Sequence, residues 1–155
     1  MGYPNRGKEF EQKIKEAIEV IPDTSIDRLP DPTNGYMGVR NVCDFMVYKK
    51  PYQYYLECKC THENTMHFSH IRDNQWHGLS KKAKIEGVVA GLIIWFILRD
   101  RTVFIPISRL EWLKDHDFKS VAWDLDYDDV FEIKGRKQRI FYEYDMIDFF
   151  EEVKP

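Results

Sequence analysis

The sequence predicts an α/β domain, and three stretches carry that reading. Residues 42–60, VCDFMVYKKPYQYYLECKC, are two runs rich in Val, Tyr, Phe and Cys around a Lys49-Lys50-Pro51-Tyr52 centre, the pattern of a β-hairpin. Residues 88–98, VVAGLIIWFIL, are apolar without alternation, as expected of a strand buried on both faces. Residues 8–21 place Phe10, Ile14, Ile18 and Ile21 at helical spacing, a stripe that lies on a core.

At 155 residues, 43% hydrophobic and 15% aromatic, the chain suits one domain with a substantial interior. The apolar run at 88–98 is too short to span a bilayer. The opening MGYPNRGKEF is polar and charged, so no signal peptide is expected. Three cysteines, Cys43, Cys58 and Cys60, are an odd number without framework spacing, which points to a reducing compartment. A soluble cytoplasmic protein without a membrane partner is expected. Net charge is −3, but unevenly spread: residues 1–87 carry 13 Lys and Arg against 12 Asp and Glu, and residues 88–155 carry 10 against 14. That balance permits a nucleic-acid partner without indicating one.

The hairpin has a register that arithmetic supplies. A turn centred between Lys50 and Pro51 sets Tyr48 opposite Gln53 and Asp44 opposite Glu57, with Cβ atoms roughly 5 Å apart. Lys59 lies two residues past Glu57 and shares its face, whereas Cys43, Phe45, Leu56, Cys58 and Cys60 are expected on the other. Two adjacent carboxylates repel and need compensation. A divalent cation provides it in one reading, Mg²⁺ favouring one or two carboxylates plus water and phosphate. A salt bridge from Lys59 provides it in the other.

The remaining elements follow in order. Glu11 borders the stripe of the first helix, either pairing with Lys15 four residues on or facing the hairpin acids as a third carboxylate. Pro22-Asp23 ends the helix, residues 24–29 are a short strand, and 30–35, PDPTNG, are a turn followed by Gly38. Arg28 and Arg40 flank this loop, placed either to grip phosphate or simply to be solvated. Residues 61–69 are a polar loop. Its His62 and His67 do not make a zinc site with Cys58 and Cys60, whose thiols face inward and lack a second Cys pair. Residues 73–86 are a helix with Trp76, Leu79, Ala83 and Ile85 mostly inward and Gly87 closing it. Gln75 stands in its first turn beside N–H groups that suit an anion, and Lys81, Lys82 and Lys84 form a basic run whose default meaning is a solvated face. Residues 102–106 are the antiparallel neighbour of 88–98, and Ser108 with Glu111 reads as a capping box opening a helix to 115. The tail holds an acidic patch at 124–129, a hairpin of 130–133 with 139–144 whose tip is Lys134-Gly135-Arg136-Lys137, and a short helix at 146–153.

In this order the residues resemble the restriction-endonuclease-like PD-(D/E)xK nucleases, through Asp44 and Glu57-Cys58-Lys59 on a hairpin between helices. Within them the chain is similar to the RecU family of Holliday-junction resolvases. Asn5-Arg6-Gly7 with Phe10-Glu11 resembles that family's opening motif, residues 66–75 its Gln-bearing helix, and Phe104-Ile105-Pro106 the strand before the next helix. The resemblance spans roughly residues 5–115, leaving 116–155 as an extension of a nuclease core. It implies a mixed central sheet flanked by helices, with a C-terminal β-hairpin extension, in one domain.

The resemblance also implies roles. Asp44, Glu57 and the backbone carbonyl of Cys58 would hold Mg²⁺, or Mn²⁺ in its place. Glu11 would support them, Lys59 would position water or stabilise charge, and Gln75 would be an accessory group. Arg6, Arg28, Arg40, Lys49, Lys50 and Lys81 are the cations expected to meet DNA. A homodimer would make paired symmetric cuts in four-way junctions. Two other readings are a nuclease acting on duplex, flap or sequence-specific sites, and a non-catalytic junction-binding accessory protein. Two features depart from the pattern: the loop at 30–41 is short where the family carries a projecting stalk, and Cys43 replaces a frequent proline.

Overall fold

The computed structural model describes residues 4–30 and 41–155. Helix α1 (Gly7–Glu19) buries Phe10, Ile14 and Ile18, the stripe read from their spacing. Strand β1 (Thr24–Arg28) pairs antiparallel with β2 (Phe45–Lys49), which pairs antiparallel with β3 (Tyr52–Thr61). Phe45 stands opposite Leu56 and Tyr48 opposite Gln53, the register the turn dictates. β3 outruns β2, so residues 58–61 have no strand beside them on that side. The sheet gapes there.

Beyond β3 come a three-residue strand β4 (Thr65–His67) and helix α2 (Asp73–Ala83). The crossover through α2 returns the chain as β5 (Val88–Phe96), parallel to β3, with Glu57 beside Leu92 and Lys59 beside Ile94. A tight 3₁₀ turn, Ile97–Arg99, leads to the antiparallel β6 (Arg101–Pro106), then α3 (Ile107–Asp115). β7 (Ser120–Ala122) pairs with β4, and β8 (Phe131–Ile133) pairs with β6. β9 (Gly135–Lys137) and β10 (Tyr142–Tyr144) form a separate ribbon, and α4 (Ile147–Glu152) ends the regular structure. The main sheet is therefore mixed, in the order β1-β2-β3-β5-β6-β8.

Two interiors sandwich this sheet. On one face α1 and α4 cover Phe45, Leu56, Trp95 and Phe104; on the other α2 and α3 cover Leu92, Ile94, Val103 and Ile105. β5 carries side chains into both, which is why its sequence does not alternate. The tail does not stand apart. Tyr144, Met146, Phe149 and Phe150 lie in the α1-side interior, and the Tyr54 hydroxyl donates to the Val153 carbonyl at 2.8 Å.

Several expectations are corrected. Residues 131–133 join the main sheet instead of pairing with 142–144, because Ile133 and Phe131 complete the interior over β6. The basic segment 134–137 consequently contributes a strand, and the ribbon's tip is 138–141. No side chain caps α3: Ser108 lies inside the helix, which starts at Ile107 after Pro106. The 61–69 segment holds a strand, since Met66 is fully buried against Val121 and fixes the pairing with β7. α2 stops at Ala83, leaving Ile85 outside it and 54% exposed. Cys43 precedes β2 and turns into the α2-side interior, opposite to Phe45 and Cys58.

Candidate active site

The site forms where β2 begins and β3 continues without it. Asp44 is held by its backbone, its N–H donating to the Leu56 carbonyl at 3.2 Å and its carbonyl accepting from the Leu29 N–H at 2.8 Å. Its Oδ2 accepts from the Cys58 N–H at 2.8 Å, so the side chain fills the place of the missing rung of β2. In a strand the N–H and C=O of one residue point to the same side, so the Cys58 carbonyl is also directed into this gap.

Glu57 is 3% exposed, a rare position for a carboxylate. Its Oε2 accepts from the Gln75 side-chain amide at 2.8 Å and lies 3.1 Å from the Lys59 ammonium. The Gln75 carbonyl oxygen accepts from the Arg72 N–H at 3.2 Å and from Lys59 at 3.4 Å. Gln75 is thus itself buried, its carbonyl capping the first turn of α2 while its amide holds Glu57. The helix delivers it there because α2 packs closely at Gly78, where a Cβ would stand 2.1 Å from Val42 Cγ1. Asn74 pins the same end, donating to the Asn41 carbonyl at 3.1 Å.

Burial, then the Asp44 charge, pushes Glu57 up to about 8, against which Lys59 pulls down. Glu11 reaches the same cluster from α1 and is pushed up to about 7 by burial and then by Asp44, with Arg28 pulling down. Its ion partner is Arg28 at 3.4 Å, whereas Lys15 pairs with Glu19, so Glu11 is turned toward the acids. Asp44 stands between two carboxyls that are hard to ionise together. Glu57 Oε1 is buried and receives no N–H or hydroxyl donor among the described residues, while the Glu57 carboxyl lies within hydrogen-bonding reach of Asp44, which raises it further.

That Glu57 oxygen, the Cys58 carbonyl and the excess of acids fit a hard divalent cation. No group of three or more His, Cys, Asp or Glu side chains converges as a ready-made cage among the described residues. The arrangement is instead the sparse kind in which water and a phosphate complete the shell. The cysteines do not gather into a thiolate site: Cys43 turns into the α2-side interior and Cys58 into the α1-side one. Burial and neighbouring acid charge push the Cys43 thiol up to about 12 and raise Cys58 and Cys60 as well.

Of the cations expected at DNA, Arg28 and Arg6 lie at the site end of the sheet. Arg28 stacks on Phe45 at 5.3 Å, and Arg6 precedes α1 with its guanidinium 5.8 Å from the Phe141 ring. Lys49 and Lys50 sit at the hairpin turn, five or more residues from Glu57 and so roughly 15 Å away along the strands. Lys49 there donates to the Pro22 carbonyl at 3.0 Å. Lys81 is exposed six residues along α2 from Gln75, about 9 Å down its axis. Arg40 falls outside the described residues. The sequence predicts an anion site at the first turn of α2; in the structure the Gln75 side chain occupies one of those N–H groups. A Gln at the third position of a helix was the available signal.

No curated protein matches the chain. Among solved structures, Archaeoglobus fulgidus Hjc, a Holliday junction resolvase from an archaeal hyperthermophile, superposes with a TM-score of 0.48 at 18% identity, covering 66% of this chain and 78% of that one. The pattern of one family, RecU, described as Recombination protein U, matches residues 3–154, taking in the tail that the sequence reading left without a resemblance. The chain belongs to the RecU family.

Proposed function

We propose that the protein is a divalent-metal-dependent endodeoxyribonuclease that resolves four-way DNA junctions, in the cytoplasm and as a homodimer. Membership of the RecU family sets the reaction class, and the structural neighbour is itself a Holliday junction resolvase. One observation carries the assignment to this site: the buried Glu57 carboxyl pressed against Asp44, its Oε1 without an N–H or hydroxyl donor among the described residues and its Oε2 held by Lys59 and Gln75. A protein that only bound junctions would gain nothing from keeping two repelling acids buried together.

Asp44, Glu57 and the Cys58 carbonyl would hold Mg²⁺, with Mn²⁺ as a substitute. When bound, the cation supplies Lewis-acid polarisation of the phosphoryl oxygen and lowers the pKa of water. The residues then divide the remaining work. Lys59 orients the attacking water or offsets negative charge growing on phosphorus. Gln75 keeps Glu57 and Lys59 in register. Glu11 adds negative potential behind Asp44, tempered by Arg28. No helix among the described residues is long and apolar enough to cross a membrane.

The test is cleavage and gel-shift of a mobile four-way junction beside duplex, flap and single strand, with Mg²⁺ and with EDTA. Paired symmetric nicks in the junction alone, dependent on Mg²⁺, are expected. Equal cutting of plain duplex removes the resolvase reading and keeps the nuclease. Binding without any cutting in Mg²⁺ or Mn²⁺ favours an accessory protein.

A further inference from the structure

Two exposed aliphatic side chains sit at loop tips on the end of the sheet where the candidate site opens. Leu98, in the turn after β5, is 59% exposed, and Ile140, in the tip of the β9–β10 ribbon, is 41% exposed. The tips are tied together: Lys137 donates to Asp100 at 2.8 Å, and the Tyr142 hydroxyl bonds the same carboxylate. Phe141, next to Ile140, packs 5.5 Å from Trp95, the register partner of Cys60, and under Arg6. Leu98 stands four residues past Ile94, the partner of Lys59, so roughly 10 Å further along the strands.

The surroundings are basic. Residues 134–139, KGRKQR, hold four cations and no acid, and residues 134–140 are all exposed. Among the described residues Arg136 is paired with the exposed Glu143, an interaction that a phosphate displaces at little cost, while Lys137 stays on Asp100 and holds the tips together. Arg139 has no ion pair among the described residues. Aliphatic tips framed by cations match a DNA surface that offers both phosphates and unstacked bases. Duplex rises about 34 Å per turn, so DNA seated at Asp44 and Glu57 reaches these tips well within one turn.

We infer that Leu98 and Ile140 form a wedge that stacks on the opened base pairs at a DNA branch point, while Arg139 grips the adjoining phosphate. The inference rests on the junction reading above and adds the residues that tell branched from linear DNA. It gives the basic ribbon a function separate from the chemistry of the acids.

The test uses full-length protein in EDTA, where binding is read without cleavage. A four-way junction carries 2-aminopurine in the base pair flanking the branch, and a linear duplex carries the same base in the same sequence. Wild-type protein is expected to raise the fluorescence of the junction and not of the duplex. Leu98→Ser with Ile140→Ser should abolish that rise and weaken junction binding roughly five- to tenfold. Duplex binding and melting temperature should hold, since both residues are exposed. Arg139→Ala should lower the slope of log affinity against log salt by about 1. A wild-type rise that persists in the double variant overturns the wedge alone. A wild-type protein that neither prefers nor perturbs the junction overturns the resolvase reading and the wedge with it.

Discussion

Replacing Gln75 by Ala separates the organisation of this site from its ligands. The change removes three hydrogen bonds at a position 2% exposed: the donor to Glu57 at 2.8 Å and the acceptor for Arg72 N–H and Lys59. Loss of the helix cap costs about 1 kcal/mol, and loss of the neutral bond to a protonated Glu57 about another 1. At about 2 kcal/mol, a chain of this size should melt roughly 4–8 °C lower without metal. With metal, Glu57 is ionised and relies on the Gln75 amide for orientation, so affinity should fall roughly 10–100-fold. Gln75→Glu distinguishes the two roles. Its carboxylate still caps Arg72 and meets Lys59, but faces Glu57 Oε2 with an acceptor. Part of the melting temperature should return while metal affinity stays low. Thermal melts with Mn²⁺ titrations and single-turnover junction cleavage read these quantities. Wild-type affinity and cleavage in Gln75→Ala would show that Glu57 needs no such support and that Gln75 is a helix cap alone.

Asp44→Asn should abolish cleavage and leave junction binding within a few-fold by gel shift, since it alters a ligand and not a phosphate contact; surviving cleavage removes Asp44 from the mechanism. Lys59→Ala should lose cleavage at saturating Mg²⁺ while Mn²⁺ still binds, and normal turnover would reduce Lys59 to a salt bridge. The raised Glu57 and Glu11 make metal-free stability pH-dependent. The native state keeps protons that the unfolded chain releases above about 4.5, so this stability is full below that pH and is lost as pH rises through about 7 and 8. Mg²⁺ should therefore raise the melting temperature more at pH 8.5 than at 5.5, with protons released on binding in calorimetry; a pH-independent shift counts against the buried acids as ligands. Gly78→Val drives a side chain into Val42 and should displace α2, lowering stability by about 1–3 kcal/mol and metal affinity together. Unchanged metal binding in that variant would disconnect α2 from the site.

The hairpin shows how far local information reaches. Its turn and the period of two fixed the register that puts Phe45 opposite Leu56 and carries Glu57 and Lys59 to one face. The helical stripe of α1 and the unbroken apolar run of β5 were equally legible, because burial on one or two faces leaves its period in the chain. The pairing of 130–133 is not legible in the sequence, because a three-residue strand has no period to detect and its partner, β6, lies about thirty residues upstream.

Sequence by itself determined the hairpin register and the shared side of Glu57 and Lys59, since backbone geometry within a few residues sets these; Asp44, expected opposite Glu57, lies past the last rung, where its N–H bonds Leu56 and its side chain bonds the Cys58 N–H. The tertiary structure decided which way the contested residues turn. Arg28, from the neighbouring strand, takes Glu11 away from a surface pair with Lys15, and the close approach of α2 at Gly78 buries Gln75 against Glu57. Such choices depend on desolvation and on partners distant in the chain, and no local pattern encodes either.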